Sequence, residues 1–442
     1  MGARSLGSMV LATCLAAASA AAGADEAITL AQARQLALEN SAALRADSES
    51  VGAAGSVVAE ARAGYLPALS ANVTAAGAKA YGSRNDSVPG STLQPRIAAG
   101  MVNAPTVLDR AAAGVTVSQL VTDFGRTDNL VESAKASLGA ARNGYEDRRQ
   151  ALLLEVTAEF YRVLEAQATL QVARMTVDER SLLDQQIGLL QKNKLKSELD
   201  AQFASVNLQQ AQLLVLEAEN EVDASRAALA AVIGMDDAHR YQPVDDGGEA
   251  PPPAPQAEGL IADALASRPL IKSLQDRLVA AQKQARAQRA LAFPVLSLVG
   301  AAGTAPYGDD RLAENYAAGG VNLSIPIFQG GRLDAQYQEA VFHARQAQDD
   351  LDAAEVAVGR DVRVAWLAAV ADFRSVAVAG KLRAAADQAL NLAESRYRLG
   401  ISSIVELNNA QLDAVNAEIG AIRARYEYRI AQARLAFETG RL

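Results

Sequence analysis

Hydrophobic and polar positions alternate with period two over Val115–Thr122. Val115, Val117 and Val121 fall on one face of a strand; Thr116, Ser118 and Thr122 fall on the other. The device returns at Val321–Ile327, where Val321, Leu323, Ile325 and Ile327 face Asn322 and Ser324. Both runs lead into Gly-Arg, at Gly125-Arg126 and Gly331-Arg332, and both hand over to a helical pattern. Two more uncharged runs stand upstream, each just after a proline: Tyr65-Leu-Pro67 and Phe293-Pro294. The pattern therefore predicts four strands, near 66–80, 113–123, 295–306 and 316–328.

Between the strand pairs the period changes to seven. Val156, Val163, Leu170 and Val177 form one stripe, with Phe160 between its first two members. Beyond Lys192-Asn-Lys-Leu-Lys196 the stripe resumes as Leu199, Val206 and Leu213, beside Leu208, Val215, Val222 and Leu229. No proline interrupts 127–191, so a helix of about 65 residues would run roughly 100 Å. Two stripes on one helix require neighbours on two sides, as in a ring of helices.

The whole arrangement occurs twice. Residues 25–234 make a first repeat: a helix over 28–63, two strands, and a hairpin of long helices over 127–234. Residues 260–442 make a second: a helix over 260–292, two strands, and a hairpin over 333–440. Leu229-Ala-Ala-Val-Ile-Gly234 and Leu435-Ala-Phe-Glu-Thr-Gly440 end the two copies alike. Residues 235–259, with Pro251-Pro-Pro253, read as a linker.

Residues 1–24 read as a signal peptide: Arg4, then a short apolar run over Met9–Ala22, then small-residue cleavage sites. Cys14 is the only cysteine and lies inside it. Leu11-Ala-Thr-Cys14 places Thr where a lipoprotein signal has Gly or Ala, so lipidation is not expected. The exported chain has no disulfide to hold it. Past the leader no apolar run is long enough for a membrane-spanning helix. A membrane-spanning chain would have to use strands.

The strands suit that role. Aromatic residues make up only 5% of the chain, yet Tyr65, Tyr81, Phe124, Phe293, Tyr307, Tyr316 and Phe328 stand at strand ends, as in membrane-interface girdles. A half-buried soluble sheet explains the alternation but not these aromatics. Four strands cannot close a barrel, because in lipid every edge N–H and C=O must be paired and the smallest barrels have about eight. Several chains must share one.

These motifs resemble the TolC-type family of outer-membrane efflux and secretion channels. The likeness rests on Asp123-Phe-Gly-Arg126, Ile325-Pro-Ile-Phe-Gln-Gly-Gly331 and Tyr397-Arg-Leu-Gly-Ile-Ser-Ser-Ile-Val-Glu-Leu407, with Tyr65-Leu-Pro67 and Phe160-Tyr161 in support. The resemblance implies a mixed α/β membrane protein. A homotrimer would share a twelve-stranded transmembrane β-barrel, continuous with a periplasmic α-helical barrel, with the linker in an equatorial region. It implies a passive exit duct of a tripartite efflux pump or type I secretion system, docked to a periplasmic adaptor and an inner-membrane pump of RND or ABC type. A periplasmic coiled-coil adaptor without a pore is the alternative.

The resemblance also assigns residues. Tyr397, Glu406, Asn409 and Glu198 or Asp200 would form the pore constriction. Asn409 stands where some relatives have a second acidic residue, and Ser402 where some have a basic latch. Lys192, Asn193, Lys194, Leu195, Leu399, Gly400, Ile401 and Ser402 would be hairpin tips that meet the adaptor. Asn193 replaces the usual Gly and tolerates the left-handed turn. Asp123, Phe124, Gly125, Pro326, Gly330 and Gly331 would make the strand-to-helix transitions.

Other chemistry is not signalled. The net charge is −9 and no Lys/Arg run occurs, which speaks against nucleic acid. His239 and His343 stand alone, so no metal site is expected, and no catalytic or nucleotide motif implies an enzyme or a cofactor. A wide lumen need not recognise its cargo, so drugs, metals, peptides and proteins all stay open.

Overall fold

The computed structural model describes residues 26–77, 109–236, 241–245, 247–248, 250–307 and 315–442. The leader with Cys14, His239, Tyr81 and most of the loop around it lie outside these residues. Contacts divide the chain into two compact units. One draws on Met1–Ala46, Glu146–Arg268 and Val356–Leu442, the other on Asp47–Tyr145 and Pro269–Glu355. Each unit thus takes pieces from both sequence repeats.

The second unit holds an antiparallel sheet. With β1 (Glu26–Ile28) and β4 (Tyr241–Pro243) set aside for the other unit, its strands are β2 (Ala68–Gly77), β3 (Asp109–Thr122), β5 (Val295–Tyr307) and β6 (Asn315–Ser324). Their order is β2-β3-β5-β6. The middle pairing joins the two repeats, and β2 and β6 are left as edges.

The register sorts the side chains. Leu69 pairs with Val117 and Ala71 with Val115; Val117 pairs with Gly300; Leu298 pairs with Val321 and Leu296 with Leu323. These residues share one apolar face. Leu69 and Val73 on it are 74% and 83% exposed, more than a water-facing sheet tolerates in a row. The other face carries Ser70, whose hydroxyl lies 2.6 Å from that of Thr116, together with Ser118, Ser297 and Asn322. A sheet apolar on one side and polar on the other fits lipid outside and water inside.

Three expectations about the strands need correction. β3 starts at Asp109-Arg110, so it is not free of charge. β6 ends at Ser324 and not at Phe328. Pro326 has no N–H to give to a ladder, and Ile327 and Phe328 are 94% and 86% exposed beyond it. Tyr316 joins no girdle on the apolar face. It pairs with Gly303, and its hydroxyl lies over Gly303 and Gly114 on the polar face.

The first unit is helical. It includes α1 (Leu30–Asn40), the C-terminal parts of α3 (Arg126–Lys192) and α7 (Arg332–Arg398), and all of α4 (Glu198–Ile233), α5 (Glu258–Ser267) and α8 (Ile404–Glu438). α3 and α7 are each 67 residues long, roughly 100 Å at 1.5 Å per residue. Val156, Phe160, Val163 and Leu164 of α3 pack with Ile28, Ala33, Ala37, Leu229, Ile233 and Tyr426. The Val156–Val163 stripe is therefore core. Other stripes of period seven stay uncovered: Met175, Leu182 and Leu189; Leu199, Val206 and Leu213; Leu392 and Leu399. Among the described residues no helix is long and apolar enough to cross a membrane.

The helix expected over 28–63 is broken. α1 ends at Asn40; Ser41 is extended at ψ 111, and its hydroxyl accepts Leu44 N–H at 3.2 Å to start α2 (Ala42–Ala63). The helix expected over 260–292 breaks in the same way at Arg268, ψ 126, before α6 (Pro269–Ala290). A residue preceding proline is driven out of the helical region. Both breaks receive the glycine that closes a hairpin. Gly234, φ 78, sits against Asn40, and Gly440, φ 68, against Arg268. The tandem repeat is thus visible in packing as well as in sequence.

The linker is tied down on this unit. β1 pairs in parallel with β4. Asp245 accepts from Arg425 at 2.8 Å and Arg429 at 3.0 Å. Trp366 Nε1 donates to Ala254 O at 2.8 Å, and Tyr428 donates to Pro251 O.

Candidate functional site

The assigned residues fall into two groups, one in each compact unit. In the sheet unit, Asp123 is buried and caps α3. Its Oδ2 accepts Thr127 N–H at 2.8 Å and Thr127 Oγ1–H at 2.6 Å. The chain then turns on two left-handed residues, Phe124 (φ 55) and Gly125 (φ 88). The second repeat turns on Gly330 (φ 61) and Gly331 (φ 80). Phe124 holds a conformation unusual for a bulky residue, with its ring 6.2 Å from that of Phe293.

In the helical unit, both hairpin turns carry the same pair of hydrogen bonds. Leu195 N–H donates to Leu190 O and Lys194 N–H to Gln191 O, both at 2.8 Å. Ile401 N–H donates to Arg396 O and Gly400 N–H to Tyr397 O, both at 3.0 Å. Each is a Schellman ending, which needs one left-handed residue. In the second hairpin Gly400 supplies it at φ 74; in the first it is Lys194 at φ 60, not Asn193. Asn193 instead donates its side-chain amide to Leu189 O at 2.9 Å. Lys194→Gly should therefore stabilise this turn by about 1 kcal/mol, read as slower hydrogen exchange at Leu195 and Ser197. Unchanged or faster exchange would contradict the assignment.

The carboxylates at the tips are engaged. Asp200 accepts from the N–H and hydroxyl of Ser197, at 3.1 and 2.8 Å, and closes a capping box for α4. Its first duty is to start a helix. Glu198 and Asn409 are exposed. Glu406 lies 3.5 Å from Arg396 Nε, each side chain 44% exposed. Tyr397 is 8% exposed and packs with Ile187, Ala204, Ala393, Ile404 and Leu407, so both hairpins meet around it. Lys196 Nζ stands 4.0 Å from its ring centroid, and burial pushes the phenol's pKa up. Lys192, Asn193, Lys194, Leu195, Leu399 and Ile401 are exposed at the turns; Ser402 is half-buried.

Sequence reasoning missed Lys196, Arg396 and Ser197. The Ser197-x-x-Asp200 spacing is a legible capping signal. The contacts of Lys196 and Arg396 join residues that only the folded hairpins bring together. Among the described residues no cluster of His, Cys, Asp and Glu could hold a metal ion.

A family model described as outer membrane efflux protein matches residues 33–235 and 260–441, both repeats with the linker omitted. The chain belongs to the outer membrane efflux protein family. The efflux protein BepC of Brucella suis biovar 1 is 25% identical over 352 residues, which cover 78% of this chain and 75% of BepC. Outer membrane protein TolC of Escherichia coli K12 is 30% identical over 143 residues, 32% of this chain and 28% of TolC. A membrane protein of Pseudomonas aeruginosa, solved by crystallography, superposes with a TM-score of 0.78 at 23% identity over 93% of each chain. This efflux-family chain therefore has the TolC-like fold, and it is an outer-membrane protein of a Gram-negative bacterium with a periplasmic extension. Its relatives are channels.

Proposed function

We propose that three copies of this chain share one channel: a twelve-stranded barrel in the outer membrane and a ring of helices in the periplasm. The channel is a passive exit duct, opened at its helical tips by a periplasmic adaptor and fed by an inner-membrane pump of RND or ABC type. The observation that carries this is the four-stranded sheet whose edges, β2 and β6, are unpaired among the described residues. In lipid those edges must find partners, and identical copies supply them. The uncovered heptad stripes on α3, α4 and α7 call for neighbours too.

The tips suit the contact with an adaptor. Leu195, Leu399 and Ile401 are exposed apolar residues at the turns, and Lys192 and Lys194 flank the first. Three copies of Glu406 would put an acidic ring near the constriction, restrained by Arg396 and favouring cations. In planar-bilayer recordings Glu406→Gln should lower the preference for cations. Unchanged conductance and selectivity would remove Glu406 from the pore. Assembly is tested by the mass of the detergent-solubilised protein: three chains are expected, and a stable monomer would defeat the reading.

A further inference from the structure

Where the first repeat enters the membrane, side chains of both charges gather around one cavity. It measures about 580 Å³ and is lined by Arg62, Tyr65, Leu66, Asp128, Glu132 and Lys135, over a floor of Val131. Its frame is fixed. Tyr65 donates its hydroxyl to Asp128 Oδ1 at 2.5 Å, and Gln119 Nε2 donates to Tyr65 O at 2.8 Å. That hydrogen bond holds Tyr65 as a neutral phenol, with its pKa pushed up to about 12. Lys135 Nζ is 2.7 Å from Glu132 Oε1. Arg62 has no hydrogen-bond or ion-pair partner among the described residues. Leu66 is 65% exposed and stands just before β2, whose Leu69 and Val73 are more exposed still.

Nothing in the strand-to-helix passage demands this set. The second repeat makes the same passage with Arg289 and Asp334, the counterparts of Arg62 and Asp128 about Pro294 and Gly331. At the places of Tyr65, Glu132 and Lys135 it has Ala292, Gln338 and Val341. The fold therefore does without them, and their presence in one repeat calls for a ligand.

We propose that this cavity binds the headgroup of a zwitterionic phospholipid with a primary ammonium, its phosphate on Arg62 and Lys135, its ammonium on Asp128 and Glu132, and its chains along Leu66 and Leu69. The two cations are opposite in sign to the one phosphate, and the two carboxylates to the one ammonium. An anionic headgroup brings no cation to Asp128 and Glu132, and a quaternary ammonium gives them no N–H. The site rests on the membrane-spanning reading of the sheet, which places it at the periplasmic boundary.

The test uses the full chain in nanodiscs of phosphatidylethanolamine, phosphatidylglycerol or phosphatidylcholine, with retained lipid counted by native mass spectrometry. The wild type should retain phosphatidylethanolamine on the order of tenfold better than either other lipid, the ratio that one charge-assisted hydrogen bond provides. Arg62→Gln with Lys135→Gln should lose that retention about tenfold, while Arg289→Gln in the second repeat keeps it. Arg62 and Lys135 are exposed, so folding should survive; far-ultraviolet circular dichroism checks it. Equal retention of the three lipids, or a double variant that holds lipid like the wild type, would overturn the site. A protein that stays soluble without detergent and holds no lipid in any variant would remove the membrane reading and the site together.

Discussion

Arg268→Ala should destabilise the protein by about 3–5 kcal/mol, because it strands a buried carboxylate. Arg268 NH1 lies 2.7 Å from Glu438 Oε2, with side-chain exposures of 8% and 10%. Around the pair the chain end is bound to the α5–α6 break. Ser267 donates to Thr439 O at 3.1 Å, Gly440 closes on the Arg268 backbone, and Arg441 reaches Asp263 at 2.5 Å. The Glu438 carboxyl is held above its ordinary pKa, first by burial, while Arg268 pulls it down. The sign of the pH dependence follows. A carboxyl with a raised folded-state pKa binds more protons folded than unfolded between the two values, so stability falls as pH rises through that window. Without Arg268 the window widens upward. The deficit of Arg268→Ala should therefore be large at pH 8 and small near pH 4. The double change Arg268→Met with Glu438→Leu, which strands no charge, should be milder than Arg268→Ala. Thermal unfolding followed by the fluorescence of Trp366, the only tryptophan, reads this as a fall on the order of 5–10 °C. A single variant as stable as the wild type at pH 8 would show the pair to be unimportant.

Gly303→Val should prevent the sheet from forming correctly. A Cβ at Gly303 would meet Ala113 O at 2.5 Å, Gly114 Cα at 2.7 Å and the Tyr316 hydroxyl at 2.6 Å. The first two are backbone of the paired strand β3, which cannot swing aside as a side chain can. Overpacking at such a place costs about 1–3 kcal/mol or more, and β3–β5 is the pairing that joins the repeats. The expected result is loss of folded protein from the outer membrane, measured as loss of heat-modifiable protein in that fraction. Gly320→Ala is the control, since nothing lies within 4 Å of its added Cβ. Normal levels of Gly303→Val would contradict the pairing of Gly303 with Gly114.

What the sequence revealed and concealed follows from the reach of each interaction. Period-two alternation and uncharged runs marked the four long strands, and period-seven stripes marked α3 and α4, because those patterns extend over many residues; α7 and α8 were read from the tandem repeat. β1 and β4 are three residues each and pair across more than two hundred positions, so no periodicity betrays them. The break at Arg268-Pro269 was legible from proline, and the break at Ser41 from a serine that caps α2; the run of alanines masked both. At the tips the motif located the turns correctly, but backbone geometry put the left-handed residue at Lys194. Asp123, expected at a strand-to-helix transition, caps α3 there, and Asp200, expected as a constriction carboxylate, closes the capping box of α4. The pairing of Glu406 with Arg396 crosses a turn whose geometry only the fold defines.

The claim on which the rest depends is that β2 of one chain meets β6 of the next. A scan of cysteine pairs tests it most directly, one cysteine at Ser70, Asn72 or Thr74 of β2 and the other at Ala318, Gly320 or Asn322 of β6. Cys14 is the only native cysteine and lies in the predicted leader, so the engineered pairs report alone. Oxidation in intact outer membranes should give, at one matched register, a denaturation-resistant ladder that stops at three chains. If no pair cross-links between chains, or if the ladder climbs without stopping at three, the shared barrel is contradicted.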